Sequence, residues 1–218
     1  MTIFPNYFIP FKNESIIAKA IDKKLINIEI IDFRNFAYGK QKKVDDEIYG
    51  GGSGMLLKIE PIDLALENTK GKRILLSPQG KPFTQDDALK LSKEENLTFI
   101  CGRYEGFDER IRNLIDEEYS IGDYVLTGGE LASMVIADST IRLIPGVIKE
   151  ESYKNDSFQN NLLDYPQYTR PATYKNMNVP EVLLNGNHKE IKQWREQKAY
   201  EKTLKNRPDL IERKNNAK

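Results

Sequence analysis

The sequence predicts an α/β protein built on a mostly parallel sheet, followed by a small helical unit with a basic face. Three observations lead there. Residues 73–77 (RILLS) and 97–101 (LTFIC) are compact apolar runs, the kind that form strands buried on both faces. A helical pattern lies between them, and strands alternating with helices build parallel sheets. The zero net charge of the 218 residues is unevenly spread: residues 175–218 carry 11 Lys/Arg against 6 Asp/Glu, a net of +5, which leaves −5 on the remainder. An acidic body with a basic tail points to an anionic partner for the tail, or else to a helix whose charges only keep it solvated.

Composition narrows the class. With 39% hydrophobic and 30% charged residues and a mean hydropathy of −0.59, the chain reads as a soluble protein able to bury one good core. No uncharged apolar run approaches the roughly 20 residues of a membrane helix. The start, MTIFPNYF, has no basic segment followed by a long apolar core, so it is not a signal peptide. One cysteine (Cys101) and one histidine (His188) exclude a disulfide framework and a His/Cys metal site of the usual ligand count. A reducing, cytoplasmic compartment is expected.

The elements follow in order. Residues 25–31 alternate apolar and polar around Asn27 and Glu29, a strand pattern. RILLS and LTFIC are the next strands, and Thr84 caps the helix between them, with acids in its first turn (TQDDALKLSKEE). DERIRNLI, after the second strand, reads as an amphipathic helix. The segment SIGDYVLTGGE reads as a strand end at Ile121, a turn at Gly122 and Asp123, an apolar loop, and a helix opening at Gly128 and Gly129. Residues 150–161 (EESYKNDSFQNN) are polar and aperiodic, a linker. Asn187, followed three residues later by Glu190, starts a helix on which Lys192, Arg195, Lys198 and Lys202 share one face. The expected organisation is 1–149, linker 150–161, and 162–218.

In open parallel sheets, ligands sit beyond the carboxyl ends of the strands. That rule selects SPQG after RILLS, GRYEG after LTFIC, and SIGDYVLTGGE. GRYEG is read either as a ligand loop with Glu105 at its mouth or as an ordinary turn with a capping acid at Asp108. YGGGSGM (residues 49–55) offers a flexible loop and a candidate phosphate nest, but it fits neither dinucleotide nor Walker spacing. The uncharged, main-chain-rich stretch around Leu126 suits a flat heterocycle such as adenine, whose edge needs backbone hydrogen bonds and whose faces need apolar cover.

Taken together, VDDEIYGGGSGM, LLSPQGKPF, ICGRYEGFDER, SIGDYVLTGGE, NDSF, LLDYPQYTRP and LLNGNHKEI resemble, in order and spacing, the bacterial tRNA (guanine-N1)-methyltransferase family of the SPOUT superfamily. The resemblance spans almost the whole chain. It implies a parallel α/β domain with a C-terminal trefoil knot, followed by a small helical tRNA-binding domain, in an obligate homodimer with shared active sites. The residues alone favour an unknotted doubly wound sheet, since chains rarely thread their loops, and the resemblance overrides that expectation.

The resemblance also implies S-adenosylmethionine (SAM) as methyl donor and tRNA as substrate, methylated at N1 of the guanosine immediately 3′ of the anticodon. Gly102, Ile121, Gly122, Asp123, Tyr124, Val125 and Leu126 match cofactor-binding positions, and Pro78, Tyr104, Glu105, Gly128 and Gly129 fall in pocket motifs. Arg142, in STIRLIPG, matches an active-site arginine, and Asp156, in NDSF, the general base. No metal ligand is implied, while a divalent ion is left open. MTIFPNYF matches a first strand shortened at its start, and Asn176 and Asn185 depart from the C-terminal motif.

These residue types suit the chemistry. Guanine N1 is a poor nucleophile until it loses its proton, the task of a carboxylate such as Asp156, and charge then grows on O6, where a guanidinium such as Arg142 stabilises it. The bland readings are a turn former before Ser157 and a surface ion pair. Rival functions are another SPOUT RNA methyltransferase, a non-catalytic RNA-binding protein relying on the basic helix, and a hydrolase using YGGGSGM as a phosphate cradle.

Overall fold

The apolar run at residues 73–77 forms the centre of a parallel sheet. The computed structural model describes residues 1–154 and 156–216 and divides the chain into two units, Met1–Lys149 and Glu150–Lys218. The first unit contains α1 (Phe8–Asn13), α2 (Ser15–Asp22), the short pair β1 (Asp45–Asp46) and β2 (Leu56–Leu57), α3 (Ile59–Leu66), β3 (Lys72–Pro82), α4 (Gln85–Leu91), β4 (Leu97–Cys101), β5 (Glu117–Ser120) and α5 (Glu130–Ile141). The sheet order is β4-β3-β5, with both pairings parallel.

Alternation along β3 explains why its buried run, residues 74–76, is apolar at consecutive positions. Leu75 packs with Ile100, Ile62 and Leu66 on one face, while Ile74 and Leu76 pack with Leu91, Tyr119 and Ile136 on the other. A central strand covered on both sides has no polar face to show. The α4 boundary is set by a capping box: the Thr84 hydroxyl accepts from the Asp87 N–H, and the Asp87 carboxylate accepts from the Thr84 N–H at 3.1 Å.

Three sequence expectations are corrected in this unit. Residues 26–31 form no named strand. A strand needs a paired neighbour, and here pairing is limited to a Thr2–Asp32 bridge, with the Thr2 N–H donating to the Ile31 carbonyl at 3.0 Å. Instead it is the first residue that runs beside β4, its amino group donating to the Phe99 carbonyl at 2.7 Å. DERIRNLI gives a five-residue 3-10 segment, Glu109–Asn113, not an α-helix. Ile111 is fully buried and β5 begins at Glu117, so the chain lacks the length for further helical turns. SPQG, expected as a loop, lies inside β3, where a register shift sets both Leu76 and Lys81 opposite Tyr119.

The second unit contains α6 (Glu150–Lys154), the hairpin strands β6 (Thr173–Tyr174) and β7 (Met177–Asn178), α7 (His188–Asn206) and α8 (Pro208–Asn216). Helix α6 replaces the start of the expected linker, and a Glu150–Lys154 ion pair at i,i+4 spacing (2.8 Å) suits it. The hairpin turns through Lys175 and Asn176 with φ of +47° and +64°, which is type I′ geometry. Asn tolerates that region well, which suits Asn176 to the turn. Asn187 caps α7 by accepting from the Lys189 N–H at 3.2 Å, while Glu190 accepts from the Asn185 amide at 2.9 Å instead of closing a capping box. No helix among the described residues is long and apolar enough to cross a membrane.

The bulge in β3 yields a test. A Cβ on Gly80 would fall on the Tyr119 main chain, which has no room to yield inside the sheet. Gly80→Ala is expected to destabilise the protein by about 1–3 kcal/mol, the usual range for overpacking. Urea denaturation would show this as a lower midpoint with unchanged slope; an unchanged midpoint would mean that β3 and β5 are not in such close contact.

Candidate active site

Loops after β4 and β5 meet at the start of α5, and the meeting depends on a glycine pair. The Gly129 N–H donates to the Gly102 carbonyl at 2.9 Å. A Cβ on Gly129 would stand 2.9 Å from both Cys101 Cα and Gly102 N, so only glycine lets the helix start press against the end of β4. That approach carries the next residue, Glu130, inward until it is 1% exposed.

A buried carboxylate needs partners. Arg103 Nε donates to Glu130 Oε2 at 2.9 Å, and the Thr2 hydroxyl donates to Oε1 at 2.7 Å. Arg103 Nη1 also donates to the Thr127 carbonyl at 3.0 Å, tying the GRYEG loop to the SIGDYVLTGGE loop. The rings of Phe4 and Tyr7 lie 4.5 and 5.1 Å from the guanidinium. Burial works against the Arg103 charge, but the Tyr7 hydroxyl and Glu130 outweigh it and hold the group above its ordinary range. The 49–55 loop joins the same cluster, since the Glu105 N–H donates to the Met55 carbonyl at 3.0 Å. Arg103, Glu130 and Thr2 are separated in sequence by too many residues for any local pattern to have singled them out.

Of the expected cofactor residues, the structure brings Gly102, Gly128 and Gly129 together, half-buried, at the root of the cluster. Ile121 and Gly122 are also half-buried. Beyond them the loop faces solvent: Tyr124 is 56% exposed, Val125 88% and Leu126 36%, with Asp123 exposed too. Tyr104 (φ +58°) and Glu105 lie exposed at the rim. Pro78 sits in the β3 bulge, which the Ser77 hydroxyl fastens to Glu118 of β5. Exposed apolar side chains on a main-chain-rich loop fit the adenosine end of SAM, which takes apolar cover and backbone hydrogen bonds.

Arg142 is not brought to these loops within one chain. It caps the carboxyl end of α5, and a 12-residue helix sets it about 18 Å from Gly129. Asp156 belongs to the second unit.

The basic stripe on α7 exists, but its charges are engaged. Lys192 pairs with Glu196 at 3.9 Å, Lys198 with Glu201 at 2.6 Å, and Lys202 donates to the Asp164 carbonyl at 2.9 Å. Arg195 instead holds its guanidinium 4.8 Å over the Tyr165 ring. Sequence periodicity placed these residues on one face but gave no signal for the Tyr165, Tyr168 and Trp194 rings beside them, beyond the aromatic density of LLDYPQYTRP.

Two cavities stand out, and neither is lined by the glycine-rich loops. One of about 700 Å³ lies between residues 26–31 and β4, and one of about 280 Å³ lies in the second unit. Among the described residues no cluster of three or more His, Cys, Asp or Glu is arranged to hold a metal. Burial pushes the Cys101 thiol up to about 11, which makes it a poor nucleophile at neutral pH.

Comparison with known proteins bears on this arrangement. The family described as tRNA (Guanine-1)-methyltransferase TrmD matches residues 1–213. A tRNA (guanine-N(1)-)-methyltransferase of Mycoplasmopsis agalactiae is 65% identical, over 100% of this chain and 98% of its own length. The enzyme of that name from Mycoplasmopsis synoviae is 64% identical with the same coverage, and that from Fusobacterium nucleatum is 56% identical over 97% of this chain and 90% of its own.

The loop cluster predicts its own fragility. Arg103→Ala leaves the Glu130 carboxylate buried without its cation, an outcome that typically costs about 3–5 kcal/mol. Adding Glu130→Gln to that variant should recover part of the loss. Thermal melts of the two variants provide the check; a double variant no more stable than the single one would show that the charge is not what destabilises.

Proposed function

The chain belongs to the tRNA (guanine-1)-methyltransferase family, and on that premise we propose that it transfers a methyl group from SAM to N1 of guanosine in tRNA, at the position immediately 3′ of the anticodon. The observation that carries this reading is the loop cluster at Gly102, Gly129 and residues 121–126, whose glycines, exposed main chain and apolar side chains suit an adenosine-bearing cofactor and lie where an α/β sheet accepts ligands.

SAM supplies a methyl group already activated on a sulfonium, so the protein need not provide a metal or a covalent nucleophile for the transfer. The chain has two remaining tasks. Asp156 accepts the N1 proton, leaving a lone pair on N1 that forms the new N–C bond as the methyl–sulfur bond breaks. The guanidinium of Arg142 stabilises the charge that develops on O6. The residues Pro78, Gly102, Tyr104, Glu105, Gly128 and Gly129 and the run from Ile121 to Leu126 form the cofactor pocket. Lys192, Arg195, Lys198 and Lys202 meet the tRNA; the ion pairs of Lys192 and Lys198 are exposed, and such pairs are weak and exchange readily for backbone phosphates. A trefoil knot in the first unit fits the close main-chain approaches at Gly80 and Gly129.

We further propose a homodimer whose active sites are shared, with Asp156 contributed by the partner chain. The length of α5, which parts Arg142 from the loops of its own chain, favours a shared site, and a pair of apolar residues one turn apart on that helix, Leu131 and Val135, at 50% and 51% exposure, favours a dimer. Incubation of the protein with labelled SAM and unmodified tRNA, followed by mapping of the modified nucleotide, tests the reaction; methyl at a ribose or at another base would replace this reading with a different RNA methyltransferase. The shared site has a separate test. Two inactive variants, Asp156→Ala and Leu126→Asp, are co-expressed with different tags and purified as heterodimers. One site in two then holds an intact pocket and an intact base, so activity should return to at most about half of wild type if the sites act independently. Heterodimers that bind SAM but transfer no methyl group would place the base in its own chain.

A further inference from the structure

Between the aperiodic stretch after residue 164 and helix α7, the second unit encloses a cavity of about 280 Å³. Its lining includes the aliphatic side chains of Val179, Leu183 and Ile191. It also includes the rings of Tyr168 and Trp194, which meet at 51° with centroids 6.4 Å apart, and Tyr168 remains 50% exposed. Two cations, Arg170 and Arg195, complete it.

Those two arginines differ from their neighbours. Lys192 and Lys198 pair with carboxylates of their own helix, and Arg207, between α7 and α8, pairs with Asp209. Among the described residues no carboxylate lies within ion-pair distance of Arg170 or Arg195. Arg195 is held instead over the Tyr165 ring at 4.8 Å, which fixes the guanidinium plane while leaving its N–H groups for another acceptor. A lining that mixes aromatic rings, aliphatic side chains and two guanidinium groups matches one kind of ligand. Bare phosphate could pair with the guanidinium groups but would leave the aromatic and aliphatic lining unused. A nucleobase presents an aromatic face to Tyr168 and ring nitrogens and carbonyl oxygens to the guanidinium groups. The volume falls just below the roughly 300 Å³ at which drug-sized pockets begin, room for one ring system and little more.

We propose that this cavity binds one unstacked nucleobase of the RNA substrate, its face on Tyr168 and its acceptor edge toward Arg170 and Arg195. This rests on the reading that the chain acts on tRNA, and it adds a base contact in the unit that lacks the cofactor loops. The base is one other than the methylated guanine, because that guanine has to reach the SAM pocket.

Trp194 is the chain's single tryptophan, so its fluorescence reports on the cavity in the full-length protein. Titration with an unmodified tRNA transcript should quench it saturably. Tyr168→Ala should weaken tRNA binding about tenfold while leaving the salt dependence of affinity at the wild-type slope, since a stacked base releases no counterions. Tyr168→Phe, which keeps the ring, should bind as wild type. Arg195→Lys, which keeps the charge and loses the guanidinium plane, should weaken binding with little change in slope. Circular dichroism establishes that the variants fold, and Tyr168, half exposed, is a mild place to truncate. Wild-type affinity in Tyr168→Ala would overturn the proposal, as would a loss accompanied by a shallower salt slope in both variants, which marks phosphate contact alone. Methyl transfer from labelled SAM is followed in the same samples. Ring-dependent binding without transfer keeps the cavity and sinks the enzymatic reading, whereas transfer with affinity indifferent to Tyr168 sinks only the cavity.

Discussion

The hydrogen bond from the Gly129 N–H to the Gly102 carbonyl, 2.9 Å long, sets the terms for the first unit. It requires a helix to begin within van der Waals reach of a strand end, which only a residue without Cβ allows. Glu130 then has nowhere to go but inward. A carboxylate at 1% exposure has to be neutralised in place, and Arg103 does so while reaching the Thr127 carbonyl with its other arm. A buried ion pair of this kind adds little net stability compared with apolar packing, because desolvation offsets most of the attraction. Its value is geometric. Two loops that would otherwise move independently are fixed at the spacing of one guanidinium, and their outer residues are presented to solvent as a set.

The second unit manages charge differently. Two of its basic residues, Lys192 and Lys198, are paired at i,i+4 and i,i+3 along α7, an arrangement that supports a highly charged helix by a few tenths of a kcal/mol per pair. Such pairs are cheap to break, so the helix can exchange carboxylate partners for phosphates without losing its fold. Thr203, fully buried, supplies the anchoring that the charged face does not: its hydroxyl accepts from the Leu163 N–H at 2.8 Å and donates to the Ala199 carbonyl at 2.7 Å. The chain thus has one unit organised by a buried charge and another by exposed ones.

How far the sequence revealed this depended on the range of the interaction. LTFIC gave β4 to the residue, and the Thr84 cap gave the start of α4, because burial on both faces and capping are written in consecutive residues. The strand pattern at residues 25–31 failed because alternation describes faces and says nothing of whether a neighbour is there to pair. SPQG reads as a loop because the apolar run RILLS stops before it, whereas β3 continues through it as a bulge. At the candidate site the glycines were visible as a pattern, but Arg103 and Glu130 lie 27 residues apart and their meeting is a property of the fold. The roles given to Asp156 and Arg142 came from resemblance; neither residue carries a local signature that separates a catalytic group from a turn former or an ion pair.

The geometry of α5 gives the proposed dimer a physical argument. Proton transfer and methyl transfer need the participating groups within about 3–3.5 Å of the reacting atoms. In a single chain the loops lie at the amino end of α5 and Arg142 at its carboxyl end, about 18 Å away. No side chain spans that distance, and the sheet packed along the helix leaves no freedom to fold it back. A two-fold axis resolves the difficulty. Two copies of α5 set antiparallel across the axis place the Gly129 end of one beside the Arg142 end of the other, twice over, and the exposed Leu131 and Val135 are positioned to line the seam. In that arrangement Arg142 would serve the pocket of the partner chain, as proposed for Asp156. On that reading, assembly is the step that brings an arginine to each pocket.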